Sequence, residues 1–250
     1  MTRMSSLLCL SAVLFVTGRA LAGDDRATEG GISRTQADAI LSELRQIRSL
    51  LEKQATAQAA PAPTAVVKGR LKVDGTYALG SKDAPLTMVA FSDYQCPFCR
   101  QFESTTFLEL RKKYIDTGKL RFIARNLPLD FHPNAKGAAE AVLCAGDQGH
   151  FWQMHDALYS DSNKLAPADL IGYAQTLHLD LPKFKTCVET ERHKTEIAKD
   201  LDDASLLQIT GTPSFLLGKS TSDGVEGTVI VGAMPLAVFE SKIKEVETAQ

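Results

Sequence analysis

Cys96-Pro97-Phe98-Cys99 carries the chemistry most legible in this chain. Two thiols three residues apart form a dithiol that can cycle with a disulfide. The motif directly follows the apolar run Thr87-Met88-Val89-Ala90-Phe91 and opens a helix-compatible stretch, Arg100 to Tyr114. At a strand-to-helix junction the first sulfur lies near unpaired N–H groups and the positive end of the helix dipole, which favour a thiolate. The second sulfur sits a turn later on the same side, placed to attack a mixed disulfide formed by the first. Pro97 fits the first helical turn, where a missing N–H costs nothing.

A CxxC is also half a zinc site, and zinc wants a second ligand pair at short spacing. Cys9, Cys144 and Cys187 stand alone, and His132, His150, His155, His178 and His193 form no compact pair, so no metal is expected. A purely structural bridge within CPFC would close too short a loop to gain much chain entropy.

Arg3, the apolar run Leu7 to Val16 and the small residues Ala20-Leu21-Ala22 have the order of a secretory signal cleaved near Ala22. The run is too short to span a bilayer, which takes about 20 residues. Cys9 would leave with the signal. Export, periplasmic or otherwise, puts the remainder in an oxidising space that sustains disulfide chemistry. Loss of Arg3 and Arg19 takes the 28 basic residues to 26, against 30 acidic ones. That balance gives no reason to expect nucleic acid or an anionic membrane as partner.

The elements that must position the dithiol follow in order. Ala37, Ile40, Leu44, Ile47 and Leu51 recur at heptad a/d spacing within a helix predicted over Ser33 to Gln54. The pattern suits an oligomerisation segment (23–54), while Leu41 and Leu50 widen it toward a helix docking on its own domain. Ala55 to Ala65, with Pro61 and Pro63, reads as a semi-extended linker. From residue 66 strands and helices alternate, giving an α/β class. Strands are expected at Arg70–Tyr77, Leu86–Ser92, Leu120–Asn126, Ser214–Leu217 and Thr228–Gly232, the last two as a hairpin around Asp223-Gly224. Residues 133–207 carry helical periodicity: Ala135–Ala145, Phe151–Tyr159, Ala168–Thr176, Pro182–Glu189 and Lys194–Leu207. A final helix spans Pro235–Val246.

With those elements in place, several segments resemble the DsbA-like branch of the thioredoxin superfamily. They are Phe91 to Cys99, Asn126-Leu127-Pro128-Leu129 with His132-Pro133, and Ala138 to Ala141 leading to Cys144-Ala145-Gly146. Gln148 to His155 and Gly211-Thr212-Pro213-Ser214-Phe215 complete the set. The resemblance implies a thioredoxin fold with an inserted helical domain, over residues 66–250, and a cis Pro213 facing CPFC. Thr212-Pro213 by itself reads equally as a turn or a strand start. The family's chemistry implies Cys96 as nucleophile, Cys99 as the resolving thiol, a substrate strand against Thr212, Pro213, Pro97 and Phe98, and no cofactor beyond the redox-active pair. Strongly oxidising members carry His where Phe98 stands, so a potential less oxidising than about −120 mV is expected.

Asp93 and Glu103 are the nearest carboxylates, expected on a solvated helix face or as a loop cap, without a proton-transfer role. Cys144 and Cys187 lie 43 residues apart in the insertion. A bridge between them would stabilise by roughly 4 kcal/mol in the chain-entropy model, and two buried thiols are the alternative. Phe151, Trp152, Met154 and His155 read as insertion core. Three functions then stand: an oligomeric disulfide isomerase or reductase, favoured by the heptad helix and by Thr before Pro213; a disulfide-donating oxidase; or a non-catalytic chaperone. Partners would be unfolded or misfolded exported proteins and a membrane redox protein.

Overall fold

The computed structural model describes residues 32–58, 67–73, 77–161 and 163–248. The proposed signal segment, Cys9 and linker positions 59–65 lie outside them. The chain divides into two units, Met1–Thr64 and Ala65–Gln250.

In the first unit, helix α1 (Arg34–Gln58) opens on a reciprocal cap: Gln36 N–H donates to Ser33 Oγ, and Ser33 N–H donates to Gln36 Oε1. The helix continues past the expected end at Gln54, because Ala55, Thr56, Ala57 and Gln58 offer nothing that stops one. Ile40, Leu41, Leu44, Ile47 and Leu50 are exposed along it.

The second unit is built on a six-stranded sheet of order β1-β6-β5-β3-β4-β2. Its strands are β1 (Lys68–Lys72), β2 (Ala78–Leu79), β3 (Leu86–Ser92), β4 (Leu120–Asn126), β5 (Ser214–Thr221) and β6 (Gly224–Val231). β3 runs parallel to β4, and the other pairings are antiparallel. Residues 86–91 are all buried because both faces of β3 are covered. Met88 and Ala90 pack with Phe122 and Phe215 against Phe102, Phe107, Leu110, Phe239 and Ile243. Val89 and Phe91 point the other way, onto Ile123, Leu216, Ala204 and Leu207.

Three sequence expectations are corrected. Arg70–Tyr77 is not one strand: β1 and β2 lie on opposite edges of the sheet, so the chain must leave one edge after Lys72 and enter the other at Ala78. The hairpin strands are longer than expected. Gly218 sits opposite Gly227, with backbone so close that a Cβ on Gly218 would stand 1.9 Å from the Glu226 carbonyl oxygen. Glycine there extends the pairing, although it reads as a strand stop in sequence. The helix expected over Arg100–Tyr114 is interrupted. α2 (Pro97–Ser104) ends at Thr105 (φ −129°, ψ −84°), α3 (Thr106–Leu110) follows, and a π-helical turn (Arg111–Ile115) closes the segment. Thr105 Oγ1 donates to the Gln101 carbonyl, a local bond that competes with the helix ladder, and Thr106 Oγ1 donates to the distant carbonyl of Met234, tying the break to the segment before the last helix.

The insertion comprises α4 (Ala135–Gly146), α5 (Phe151–Ser160), α6 (Pro167–Thr176), α7 (Leu181–Glu189) and α8 (Lys194–Leu206), and α9 (Leu236–Thr248) ends the chain. Phe151, Met154 and His155 are buried, and Trp152 is half-buried against both the insertion core and the sheet core. Among the described residues no helix is long and apolar enough to cross a membrane.

Candidate active site

Cys96 is the N-cap of α2 and Pro97 its first residue, so the sulfur stands where backbone N–H groups lack helical partners. Cys99, one turn on, is fully buried in the insertion core together with Tyr94 and Cys96. Both sulfurs are free thiols. Cys96 Sγ lies 3.4 Å from the Thr212 carbonyl oxygen, to which its protonated form donates, and the Asp93 N–H donates to Cys99 Sγ at 3.5 Å. The Thr212–Pro213 bond is cis, so the loop before β5 meets the start of α2 with Thr212. Pro97 and Phe98 are exposed beside Cys96, an apolar patch next to the reactive sulfur.

The two thiols are strongly unequal. A hydrogen bond from Cys99, helped by Thr212 and by backbone N–H groups at the helix start, lowers the Cys96 thiol from 9.0 to about 5, against the opposing effect of burial. Burial, and then the neighbouring Cys96, push Cys99 well above the ordinary thiol range. Near neutral pH the pair is therefore a thiolate and a thiol that donates to it. Thiolate is the attacking species in disulfide exchange, and a thiol of low pKa is also the better leaving group.

The loop before Cys96 is held from below. Asp93 is buried, and its carboxylate accepts from Gln95 N–H (2.7 Å), Leu129 N–H (2.9 Å) and His132 Nδ1 (2.8 Å). Gln95 Oε1 in turn accepts the Asn134 N–H at 2.7 Å. Asp93 is thus a loop cap, but a buried one. Glu103 corrects the expectation of a solvated helix face: its side chain is 8% exposed and lies 3.9 Å from His155 Nε2. Burial raises its carboxyl to about 7, with His155 pulling it down. Glu103 is four residues after Cys99, so helical spacing already marked it for the buried face. The link from Asp93 to His132 spans 39 residues, and no local pattern announces it.

Cys144 and Cys187, expected either bridged or free, form a disulfide between α4 and α7. The group among the described residues with metal-ligand spacing is Cys144, Cys187 and His193, which does not include the CPFC sulfurs.

A family model described as "Thioredoxin" matches residues 72–226. The chain belongs to the thioredoxin family. The chain is 43% identical over 167 residues to Na(+)/H(+) antiporter NhaA 1 of Salinispora arenicola, covering 66% of this chain and 25% of that protein. The chain thus spans about a quarter of the length of the antiporters it matches. It is 30% identical over 145 residues to a probable disulfide bond formation protein D of Bacillus anthracis, covering 55% of this chain and 67% of that one. Among solved structures it resembles Wolbachia pipientis alpha-DsbA1, with TM-score 0.61 and 25% identity over 70% of this chain and 92% of that one. Oxidised BdbD of Bacillus subtilis gives a TM-score of 0.63 at 24% identity, over 72% and 97% of the two chains. These are DsbA-type folds: a thioredoxin sheet with a helical insertion, as in residues 135–206 of this chain.

Proposed function

We propose that this thioredoxin-family chain is an exported thiol–disulfide oxidoreductase that exchanges disulfides with proteins through Cys96 and Cys99. The observation that carries the reading is geometric: Cys96 caps α2 beside the Thr212 carbonyl of the cis-Pro213 loop, with Cys99 buried one turn on. In the oxidising direction a substrate thiolate attacks Cys96 Sγ, forming a mixed disulfide and breaking the Cys96–Cys99 bond. Cys99 leaves and takes up a proton. A second substrate thiolate then attacks the substrate sulfur and releases the Cys96 thiolate. The substrate loses two electrons and the enzyme pair gains them, to be passed to a membrane redox partner. In the reducing direction the Cys96 thiolate attacks a substrate disulfide and Cys99 resolves it.

Thr212 and Pro213 present backbone to the bound substrate strand, and Phe98 and Pro97 supply apolar contact beside the sulfur. The pair itself is the redox group, and no further cofactor is required. A low nucleophile pKa stabilises the reduced pair and favours disulfide donation. That favours the oxidase direction more than Phe98 alone would suggest.

A second reading, an oligomeric isomerase or reductase, is favoured by α1, whose apolar stripe is exposed in water. Copies joined through residues 33–54 would hold misfolded substrates by avidity. Reactivation of scrambled ribonuclease by the full chain and by residues 65–250 separates the two. Activity lost in the fragment supports the isomerase; activity in neither, with reduced ribonuclease still oxidised by both, supports the oxidase. Failure of both forms to oxidise or reduce any protein thiol would overturn the oxidoreductase itself.

A further inference from the structure

Outside the CPFC site, the disulfide between Cys144 and Cys187 is surrounded by groups that a disulfide does not need. His193, at the N-cap of α8, points Nε2 at Asp147 Oδ2 (3.1 Å), and its Nδ1 is paired with Glu196 Oε2 (3.0 Å). Asp147 Oδ2 also lies 3.9 Å from Cys187 Sγ, and the two sulfurs and a His193 nitrogen all lie within 4.8 Å of one another. Glu140 is buried beside Cys144, with Oε1 4.0 Å from its sulfur and accepting the His193 N–H at 2.6 Å. Its other oxygen, Oε2, has no hydrogen-bond partner among the described residues. A cavity of about 510 Å³ opens onto Cys144, Cys187, Asp147 and Arg192.

We propose that reduction of this disulfide converts the cluster into a zinc site, with Cys144, Cys187, His193 and Asp147 as its four ligands. Two sulfurs, an imidazole nitrogen and a carboxylate oxygen suit a tetrahedral, borderline-soft ion. The pairing of Nδ1 with Glu196 is the outer-shell contact that fixes a metal-binding imidazole in orientation and leaves Nε2 to ligate. With Zn–S bonds of about 2.3 Å the sulfurs must part to about 3.8 Å, within reach of side-chain rotation from Cα atoms 5.9 Å apart. Arg192, 3.6 Å from Asp147 Oδ2, swings out through the open side. The reductant is a dithiol: it loses two electrons and two protons to the cystine and becomes a disulfide itself. Zinc then displaces the two thiol protons. The ion would clasp the ends of α4, α7 and α8 where the covalent bond had held two of them.

The test uses the full chain carrying Cys9→Ser, Cys96→Ser and Cys99→Ser, so that its only cysteines are Cys144 and Cys187. Co²⁺ is added before and after reduction, then displaced by Zn²⁺. The expected result is a thiolate-to-cobalt charge-transfer band with intense tetrahedral d–d absorption at one ion per chain, in the reduced protein only. His193→Ala should lose the tetrahedral absorption, and Glu196→Gln should weaken Zn²⁺ binding by about 10- to 100-fold. Circular dichroism guards against loss of fold: if reduction melts the insertion, Zn²⁺ should restore its helix. The proposal is overturned if reduced protein shows no charge-transfer band, if His193→Ala binds as well as its parent, or if a melted insertion stays melted with Zn²⁺.

Discussion

His132 Nδ1 donates to Asp93 Oδ2 at 2.8 Å, and this contact joins the turn that carries Cys96 to the loop leaving β4. Asp93 also accepts two backbone N–H groups, so its removal strands three donors at once. Asp93→Ala should destabilise by about 2–4 kcal/mol in urea unfolding, since unpaired buried donors carry a desolvation penalty. Asp93→Asn, which keeps one acceptor oxygen, should recover part of that loss.

Cys96 should show its low pKa in reactivity. Alkylation of the reduced chain by iodoacetamide should be nearly independent of pH above neutrality and fall with a midpoint of about pH 5. The sign for stability follows: a depressed folded pKa stabilises the reduced form above the unfolded value of 9.0, and that contribution is lost as pH falls through about 5. Cys99→Ala removes the largest cause of the shift, so the alkylation midpoint should move upward. An unchanged midpoint would show that Cys99 does not set it.

Glu103 has the opposite sign. Its folded pKa of about 7 lies above the ordinary 4.5, so the native state prefers the protonated acid. The resulting stability is full below pH 4.5 and is lost as pH rises through 7. The difference is on the order of 3 kcal/mol. Glu103→Gln should abolish this part of the pH dependence and leave the variant more stable than its parent at pH 8. Parallel stability profiles for the two proteins would refute the argument.

Phe102 is buried three residues beyond Cys99, with ring centroids 4.5 Å from Phe215 and 5.6 Å from Phe239. Phe102→Ala should cost about 3–5 kcal/mol, the range for a large core truncation. Calorimetry or denaturant unfolding measures it directly.

Truncation to residues 65–250 should run as a monomer in sedimentation, and Ile47→Glu in the full chain should do the same. Equal subunit counts for full chain and fragment would leave α1 without an assembling role.

Much of the site was legible because its parts are local. The Cys96–Cys99 spacing, Pro97 at the helix start and the apolar β3 all declare themselves within a few residues. Helical spacing also pointed Glu103 inward, yet a charged residue invites a solvent reading until its partner is seen, and His155 lies 52 positions away in α5. Long-range geometry was the blind spot. The bracket from Asp93 to Leu129 and His132 depends on how the β4 loop returns, and so does the buried pair of Arg125 with Asp200 (3.2 Å). Boundaries failed where side-chain competition decided them, as at Thr105, or where glycine favoured close strand approach, as at Gly218.

The edges of the sheet also bear on solubility. On β1 every second side chain, Lys68, Arg70 and Lys72, is cationic and exposed, while Leu71 faces inward. At the other edge β2 offers only two residues to a would-be neighbour. A copy of the chain approaching edge to edge would meet like charge on one side and almost no ladder on the other, the two devices by which sheets avoid polymerising. The sheet of residues 65–250 therefore carries, at both of its edges, a guard against pairing with a second copy of itself.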